Sequence, residues 1–344
     1  MYLISRSRIE ASGIAEPEAA RRLIERTLRA KAAGTSAGAQ EVAMAAGARE
    51  AGAFYSLPAY LGGEGVAGLK WTSHVPGQGG ELPYTQPVIL LNDLKTGTPI
   101  ALLEGQLISG LRTGAVSAAA VSALTEASAS SLLLCGSGFQ ARHQLRALLP
   151  ALPGLQDVHL WSRTPARAER LQREFAGAFA ERGIRSRVHA ALPPRLDFAR
   201  VIVGATSAAR PYLRAEHFAP GQLYVHIGMR DIEEDAVEAF DEIVCDDFEA
   251  GVPSSSQSLF GLARRNPGIA RKVTLLENLL EPERQGLPGP EPEGPGSTAR
   301  RAGGGKVMFN AFGLSIFDLA LAHEALRRLQ ARPGVELRRF DPNE

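Results

Sequence analysis

The spacing of apolar and polar positions changes character twice along the chain. After a short apolar start, EPEAARRLIERTLRAKAAG sets Ala19, Leu23, Ile24, Leu28 and Ala32 at helical spacing, with Gly34 as a stop. Residues 50–105 instead alternate short apolar runs (65–71, 87–91, 99–104) with turns such as NDLKTGTP, which predicts an antiparallel sheet. An alanine-rich helix is predicted over 113–127. From residue 131 the apolar runs are SLLLC, VHLW, ARVIVGA, LYVHI and EIVC, with helical segments predicted at 140–149, 166–182 and 233–240. Strands buried on both faces and joined by helices form a doubly wound parallel sheet. Residues 281–305 hold 12 Pro or Gly and read as a surface loop; a strand (KVMF) and an amphipathic helix over 314–329 follow it.

A length of 344 residues at roughly 150 per domain suggests two domains. Lys and Arg number 38 against 37 Asp and Glu, a net charge of +1, which argues against a general grip on nucleic acid or on an anionic membrane. Aromatics at 6% offer no base-stacking platform. Two cysteines, Cys135 and Cys245, exclude a disulfide framework and a thiolate-rich zinc site. The N-terminus has no apolar targeting core, and no stretch reaches about 18 apolar residues; a cytoplasmic globular protein is expected.

The strongest chemical signal is LLLCGSGFQARHQLRALL. Gly136-x-Gly138-x-x-Ala141 follows a strand and opens a helix. The first Gly permits the tight turn, the second lets backbone approach a pyrophosphate, and Ala141 allows close packing. The helix N-terminus adds unpaired N–H groups. The other reading is a Gly-rich turn without ligand. At the end of the next strand, NAD sites usually carry an acid. Here Ser162, Arg163 and Thr164 stand there, which suits a 2′-phosphate. NADP(H) is therefore favoured, with NAD(H) as the alternative.

Arg112 stands directly before the predicted alanine-rich helix, where an unpaired guanidinium is costly. Its partner is a substrate carboxylate or an internal acid. Lys70, in GLKW, is a catalytic candidate or a solvent-facing strand lysine. His74 is a proton shuttle or a surface histidine, and His226 reads as a hydrogen-bonded core residue. Asp246 and Asp247 bind a metal or, more simply, cap a loop; Cys135 reads as packing.

Taken in order, GLKW, VILLNDLKTGTPIALLEGQLISGLRTGAVSAAAVSAL, CGSGFQA, WSRTPARAERL, GATSA and FNAFGLSIFDLA resemble the ornithine cyclodeaminase/μ-crystallin family. The resemblance implies a Rossmann-type domain over 116–305 and an α+β substrate and dimerisation domain built from 1–115 with 306–344. It also implies a homodimer and hydride transfer between the Cα of an amino acid, or its imine, and a nicotinamide. Lys70 and Arg112 match the residues that hold the substrate carboxylate, Arg49 an upstream arginine, and Asp231 the catalytic aspartate. Thr113, Phe139, Gln140, Thr206, Met229 and Asn310 join Gly136, Gly138, Ala141, Ser162, Arg163 and Thr164 as cofactor-binding positions. No metal site is expected.

Two features depart from the ring-closing cyclodeaminases. The family's Glu two residues before a Met-Pro pair is replaced by Tyr55 before Leu57-Pro58, and HIGMRDIEEDA replaces the usual Pro-Gly-Lys segment. HIGMRD, IVCDD and Asn310-x-x-Gly313 look more like the siderophore-pathway branch, which oxidises N-(2-amino-2-carboxyethyl)-L-glutamate to 2,3-diaminopropionate and 2-oxoglutarate. The alternatives are an ornithine or lysine cyclodeaminase and a μ-crystallin-like NADPH-binding protein with little turnover.

Overall fold

The computed structural model describes residues 1–45, 52–75, 85–280, 304–333, 337, 338 and 340. The chain divides into two compact units, Met1–Ala115 with Gly313–Glu344, and Val116–Phe312.

The first unit opens with β1 (Tyr2–Ile4), α1 (Arg6–Ala11) and α2 (Pro17–Ala32). Glu16 caps α2 by accepting from the Glu18 and Ala19 amides, and Pro17 takes the first position, where no N–H is needed. There follow β2 (Ser36–Gly38), β3 (Val42–Ala45), β4 (Ala53–Leu61), β5 (Val66–His74), β6 (Val88–Asp93) and β7 (Pro99–Glu104). They form a sheet in the order β1-β7-β6-β5-β4-β2, with β3 also on β4; only β1–β7 is parallel. The helix α3 (Gln106–Leu124) starts seven residues before the predicted boundary. Glu104 fixes that start, its carboxylate accepting from the Gln106 and Leu107 amides at 2.8 and 3.2 Å. By length and composition alone α3 can cross a membrane, but 72% of that window is buried inside the fold.

The second unit is the doubly wound part. Its elements are β8 (Ser131–Cys135), α4 (Phe139–Ala151), β9 (Asp157–Trp161), α5 (Pro165–Glu174), α6 (Ala176–Glu181), β10 (Arg185–His189), β11 (Val201–Gly204) and β12 (Leu223–His226). Then come α7 (Glu234–Glu238), β13 (Glu242–Cys245), α8 (Phe248–Ser254), α9 (Ser258–Arg265), β14 (Val273–Leu275) and β15 (Val307–Asn310). All eight strands are parallel, in the order β10-β9-β8-β11-β12-β15-β13-β14. The predicted helix over 166–182 is two helices, broken at Phe175. β15 pairs with β12 and β13, so residues 307–310 belong to this sheet, and the expected division at 305/306 falls at 312/313. Most of the 281–305 loop lies outside the described residues.

The chain re-enters the first unit as α10 (Ser315–Ala331), predicted as amphipathic but buried along most of its length. α10 and α2 cover one face of the first sheet. Ala59, Leu61, Val66, Ile89, Leu91, Ala101 and Leu103 point into that core. The opposite face carries Val42, Met44, Tyr60, Trp71 and Val88, all exposed.

Candidate active site

In the first unit, side chains alternate along β5, and Lys70 shares the covered face with Val66 while Trp71 faces out. Lys70 is therefore not a solvent-facing strand lysine; it is 4% exposed. Its Nζ donates to Asp318 Oδ2 on α10 at 2.7 Å. Burial lowers the Lys70 pKa, Asp318 opposes that, and the neighbouring Arg112 adds to it.

Arg112 lies in the second turn of α3, not ahead of the helix. Of its two expected partners the fold shows an internal acid. Arg112 Nε is 3.5 Å from Asp318 Oδ1, an ion pair in which neither atom makes a hydrogen bond. The guanidinium lies over Gly313, where φ is +97° and an added Cβ would sit 2.6 Å from a terminal nitrogen of Arg112. Glu41, just ahead of β3, has its carboxyl raised by burial, with Lys70 opposing. Thr113 is buried and donates from Oγ1 to Ser109 O at 2.7 Å. Tyr55 pairs with Thr72 across β4 and β5. Arg49 lies outside the described residues.

In the second unit, β8 runs into Gly136, whose φ is +122° and whose amide donates to Trp161 O at 2.8 Å. A side chain there would run into the Ala205 carbonyl. Gly138 caps α4, Phe139 and Gln140 form its first turn, and Ala141 is buried against the sheet. Phe139 packs on His143 with centroids 4.6 Å apart. Ser162 is buried: its hydroxyl donates to Thr164 O and accepts from the Thr164 amide and from Ser137. Arg163 and Thr164 are exposed at the β9–α5 turn.

Asp231 follows β12 and has no exposed surface. It accepts from the Thr206 hydroxyl and, at 3.3 Å, from the Thr206 amide. Burial raises its pKa, against the pull of His226 and the Thr206 hydrogen bonds. Met229, two residues earlier, is exposed. Asn310 ends β15 fully buried. Gln257 Nε2 donates to Ala311 O at 3.0 Å, so its Oε1 accepts from Asn310 Nδ2, and Asn310 Oδ1 then accepts from His226 Nδ1 at 2.8 Å. That order makes Nδ1 the protonated nitrogen of His226 and leaves the buried Nε2 without a hydrogen-bond partner. Asp247 accepts from the Ala250 amide and Asp246 from the Phe312 amide, both as loop and helix caps. Cys135 is buried, and burial pushes its thiol up.

Sequence reasoning missed Asp318 and Gln257. Asp318 had a visible signal, a lone acid in SIFDLALA between apolar neighbours. Gln257 had none.

The model of the ornithine cyclodeaminase/mu-crystallin family matches residues 4–243. The chain is 25% identical over 208 residues to the N-((2S)-2-amino-2-carboxyethyl)-L-glutamate dehydrogenase of Staphylococcus aureus, a match covering 56% of this chain and 58% of that protein. Its fold is similar to Thermococcus litoralis Δ1-pyrroline-2-carboxylate reductase solved with NADH and L-proline, with a TM-score of 0.83, 22% identity and coverage of 99% and 100% of the two chains. It is also similar to an archaeal alanine dehydrogenase dimer with bound NAD, with a TM-score of 0.78, 21% identity and 99% coverage of both chains. With 240 of its 344 residues spanned by the family model, this chain belongs to the ornithine cyclodeaminase/mu-crystallin family.

Proposed function

We propose that this chain is an NAD(P)-dependent oxidoreductase acting on the Cα–N bond of an amino acid or N-carboxyalkyl amino acid. It works by oxidation with imine hydrolysis, or in reverse by ketimine reduction. The observation that carries this reading is the pairing of the buried Lys70 with the partly buried Arg112, two cations with one fully buried acid, Asp318, between them. Burying a second cation is costly without a second anion, and a substrate carboxylate supplies it. The finer substrate reading is N-(2-amino-2-carboxyethyl)-L-glutamate. HIGMRD, the absence of an acid at Tyr55 and the likeness to the staphylococcal dehydrogenase support it.

Lys70 and Arg112 bind and orient the carboxylate, which fixes the face of Cα presented for reaction; orientation alone supplies several kcal/mol. Asp231 accepts a proton from the water that adds across the substrate's C=N bond and returns it to the departing amine. The Gly136 turn, whose backbone approach a Cβ would block, and the first turn of α4 fit a pyrophosphate. A nicotinamide dinucleotide, when bound, supplies the two-electron acceptor or donor. The exposed Arg163 favours the 2′-phosphate of NADP(H). Ser162 takes no part in that preference, because its hydroxyl is engaged by Ser137 and Thr164.

The second copy of a homodimer covers the exposed face of the first sheet. Phe54 and Trp71 stack there at 5.7 Å, beside the exposed Val42, Met44 and Val88.

The test is a purified-protein assay with NADP+ and NAD+ against N-(2-amino-2-carboxyethyl)-L-glutamate, L-alanine, L-ornithine and L-proline, with products read by mass spectrometry. Release of 2-oxoglutarate and 2,3-diaminopropionate is the expected result. Proline from ornithine would move the chain to the cyclodeaminases, and tight NADPH binding without turnover of any substrate would make it a binding protein.

A further inference from the structure

We infer that Asp318 is a positioning residue of the carboxylate site: from α10 it holds the Lys70 ammonium by Oδ2 and faces Arg112 with Oδ1, so that the two cations turn their remaining donors to one carboxylate. The inference rests on the reading of Lys70 and Arg112 given above.

Three observations carry it. Asp318 has no exposed surface, and its helix neighbours Ile316, Phe317, Leu319 and Ala320 are buried too, so the carboxylate stands in an apolar core. An unpaired charge there is costly, and among the described residues its ion-pair partners are Lys70 at 2.7 Å and Arg112 at 3.5 Å. Second, the charge count is asymmetric. Lys70 and Arg112 against Asp318 leave one positive charge, matching one carboxylate group of the substrate. Glu41 is the further acid that acts on Lys70, from ahead of β3, and it is only half-buried. Third, the hydrogen bonds are unevenly used. Asp318 takes one of three Lys70 donors but forms no hydrogen bond with Arg112 Nε, which stays without a hydrogen-bond partner, as does Asp318 Oδ1. The planar guanidinium fork is thus oriented by charge and left free to bond a carboxylate bidentately.

Without Asp318, the buried Lys70 faces the partly buried Arg112 with no acid between them, and Lys70 is the one that can shed its proton. A neutral amine no longer attracts a carboxylate. The role of Asp318 is therefore electrostatic and separable from packing.

The chain has five lysines, at 31, 70, 95, 272 and 306, so carbon-13 NMR of lysine-labelled protein resolves Lys70, with Lys70→Arg identifying its signal. The titration is run on the full chain as wild type, Asp318→Asn, Asp318→Glu and the packing variant Leu321→Ala. The expected result is a Lys70 midpoint that falls in Asp318→Asn, recovers in Asp318→Glu and stays in place in Leu321→Ala. A midpoint unchanged in Asp318→Asn, or lowered equally in Leu321→Ala, overturns the inference. If Asp318→Asn does not fold, the wild type decides. Asp318 Cγ should step in chemical shift where Lys70 loses its proton, and the absence of that step overturns the inference. No turnover is needed, so failure of this test is distinct from failure of the enzymatic reading.

Discussion

Lys70 Nζ and Asp318 Oδ2 lie 2.7 Å apart, although 248 residues of chain separate them. The pair joins β5 to α10 in the core of the first unit, so Lys70 bears on stability as well as on the chemistry proposed for it. Lys70→Met takes from the buried Asp318 carboxylate its only hydrogen-bonded cation among the described residues, leaving Arg112 at 3.5 Å, and should destabilise by about 3–5 kcal/mol. Lys70→Met with Asp318→Asn should recover part of that loss, because the under-compensated buried anion is gone. Denaturant unfolding of both variants checks this; a single variant as stable as wild type would contradict the pairing.

Asp231 should trade stability for chemistry. Burial raises its carboxyl above the ordinary 3.8. The folded state therefore holds the extra proton: the group's contribution is complete below 3.8 and is lost as pH rises through the raised value. Asp231→Asn removes that loss. Thermal melts at neutral pH should show a Tm no lower than wild type, while turnover collapses. A variant with near-normal turnover would move the base elsewhere.

Gly313→Ala tests the seat of Arg112. Its φ of +97° disfavours any side chain, and the new methyl would meet the guanidinium 2.6 Å away. Backbone strain of about 1–3 kcal/mol is expected. Displacement of Arg112 should also raise KM for the carboxylate substrate more than it lowers kcat. Steady-state kinetics beside thermal melts separate the two effects.

Arg163→Ala should weaken NADPH by about tenfold to a hundredfold, the worth of a charge-assisted contact to phosphate, and leave NADH nearly unchanged. An acid introduced to reverse the preference belongs at exposed position 163; at 162 it would break the hydroxyl's bonds to Ser137 and Thr164. Dissociation constants for both cofactors at one ionic strength decide. Equal wild-type affinities would remove the NADP preference.

The exposed face of the first sheet should be an interface. Sedimentation of the wild type should give a dimer. Trp71→Glu places a charge among Phe54 and Val88 and should give a folded monomer. A wild-type monomer would leave that apolar face without its proposed occupant.

The parallel sheet was legible because its strands are apolar runs closed by Gly or polar turns, and β8, β9, β11, β12 and β13 fall within or across the predicted runs SLLLC, VHLW, ARVIVGA, LYVHI and EIVC. β10 escaped notice because RSRVH carries charge on an edge strand, and its pairing to β9 decides its state. α3 starts before the predicted 113–127 helix because burial of Leu107, Ile108 and Leu111 outweighs the weak helix propensity of Gly110. Lys70 shows the deeper limit. Alternation along β5 was visible, but the side of the sheet that α10 covers was not, and on hydropathy alone Trp71 would have been placed inside and Lys70 outside. The Lys70–Asp318 contact is long-range, so no local pattern encodes it.

β15 also sets a condition on how this chain is made. Its residues, 307–310, separate β12 from β13, although both of those strands are synthesised more than 60 residues earlier. Until the late segment leaves the ribosome, the facing edges of β12 and β13 lack their partner, and the first sheet lacks the α10 cover. Neither unit can finish as an independent early domain, and the nascent chain carries two open strand edges and a bare apolar sheet face. Ribosome-stalled chains ending before residue 307 should be protease-sensitive across both units, and protection should arrive in both only when the last helix has emerged.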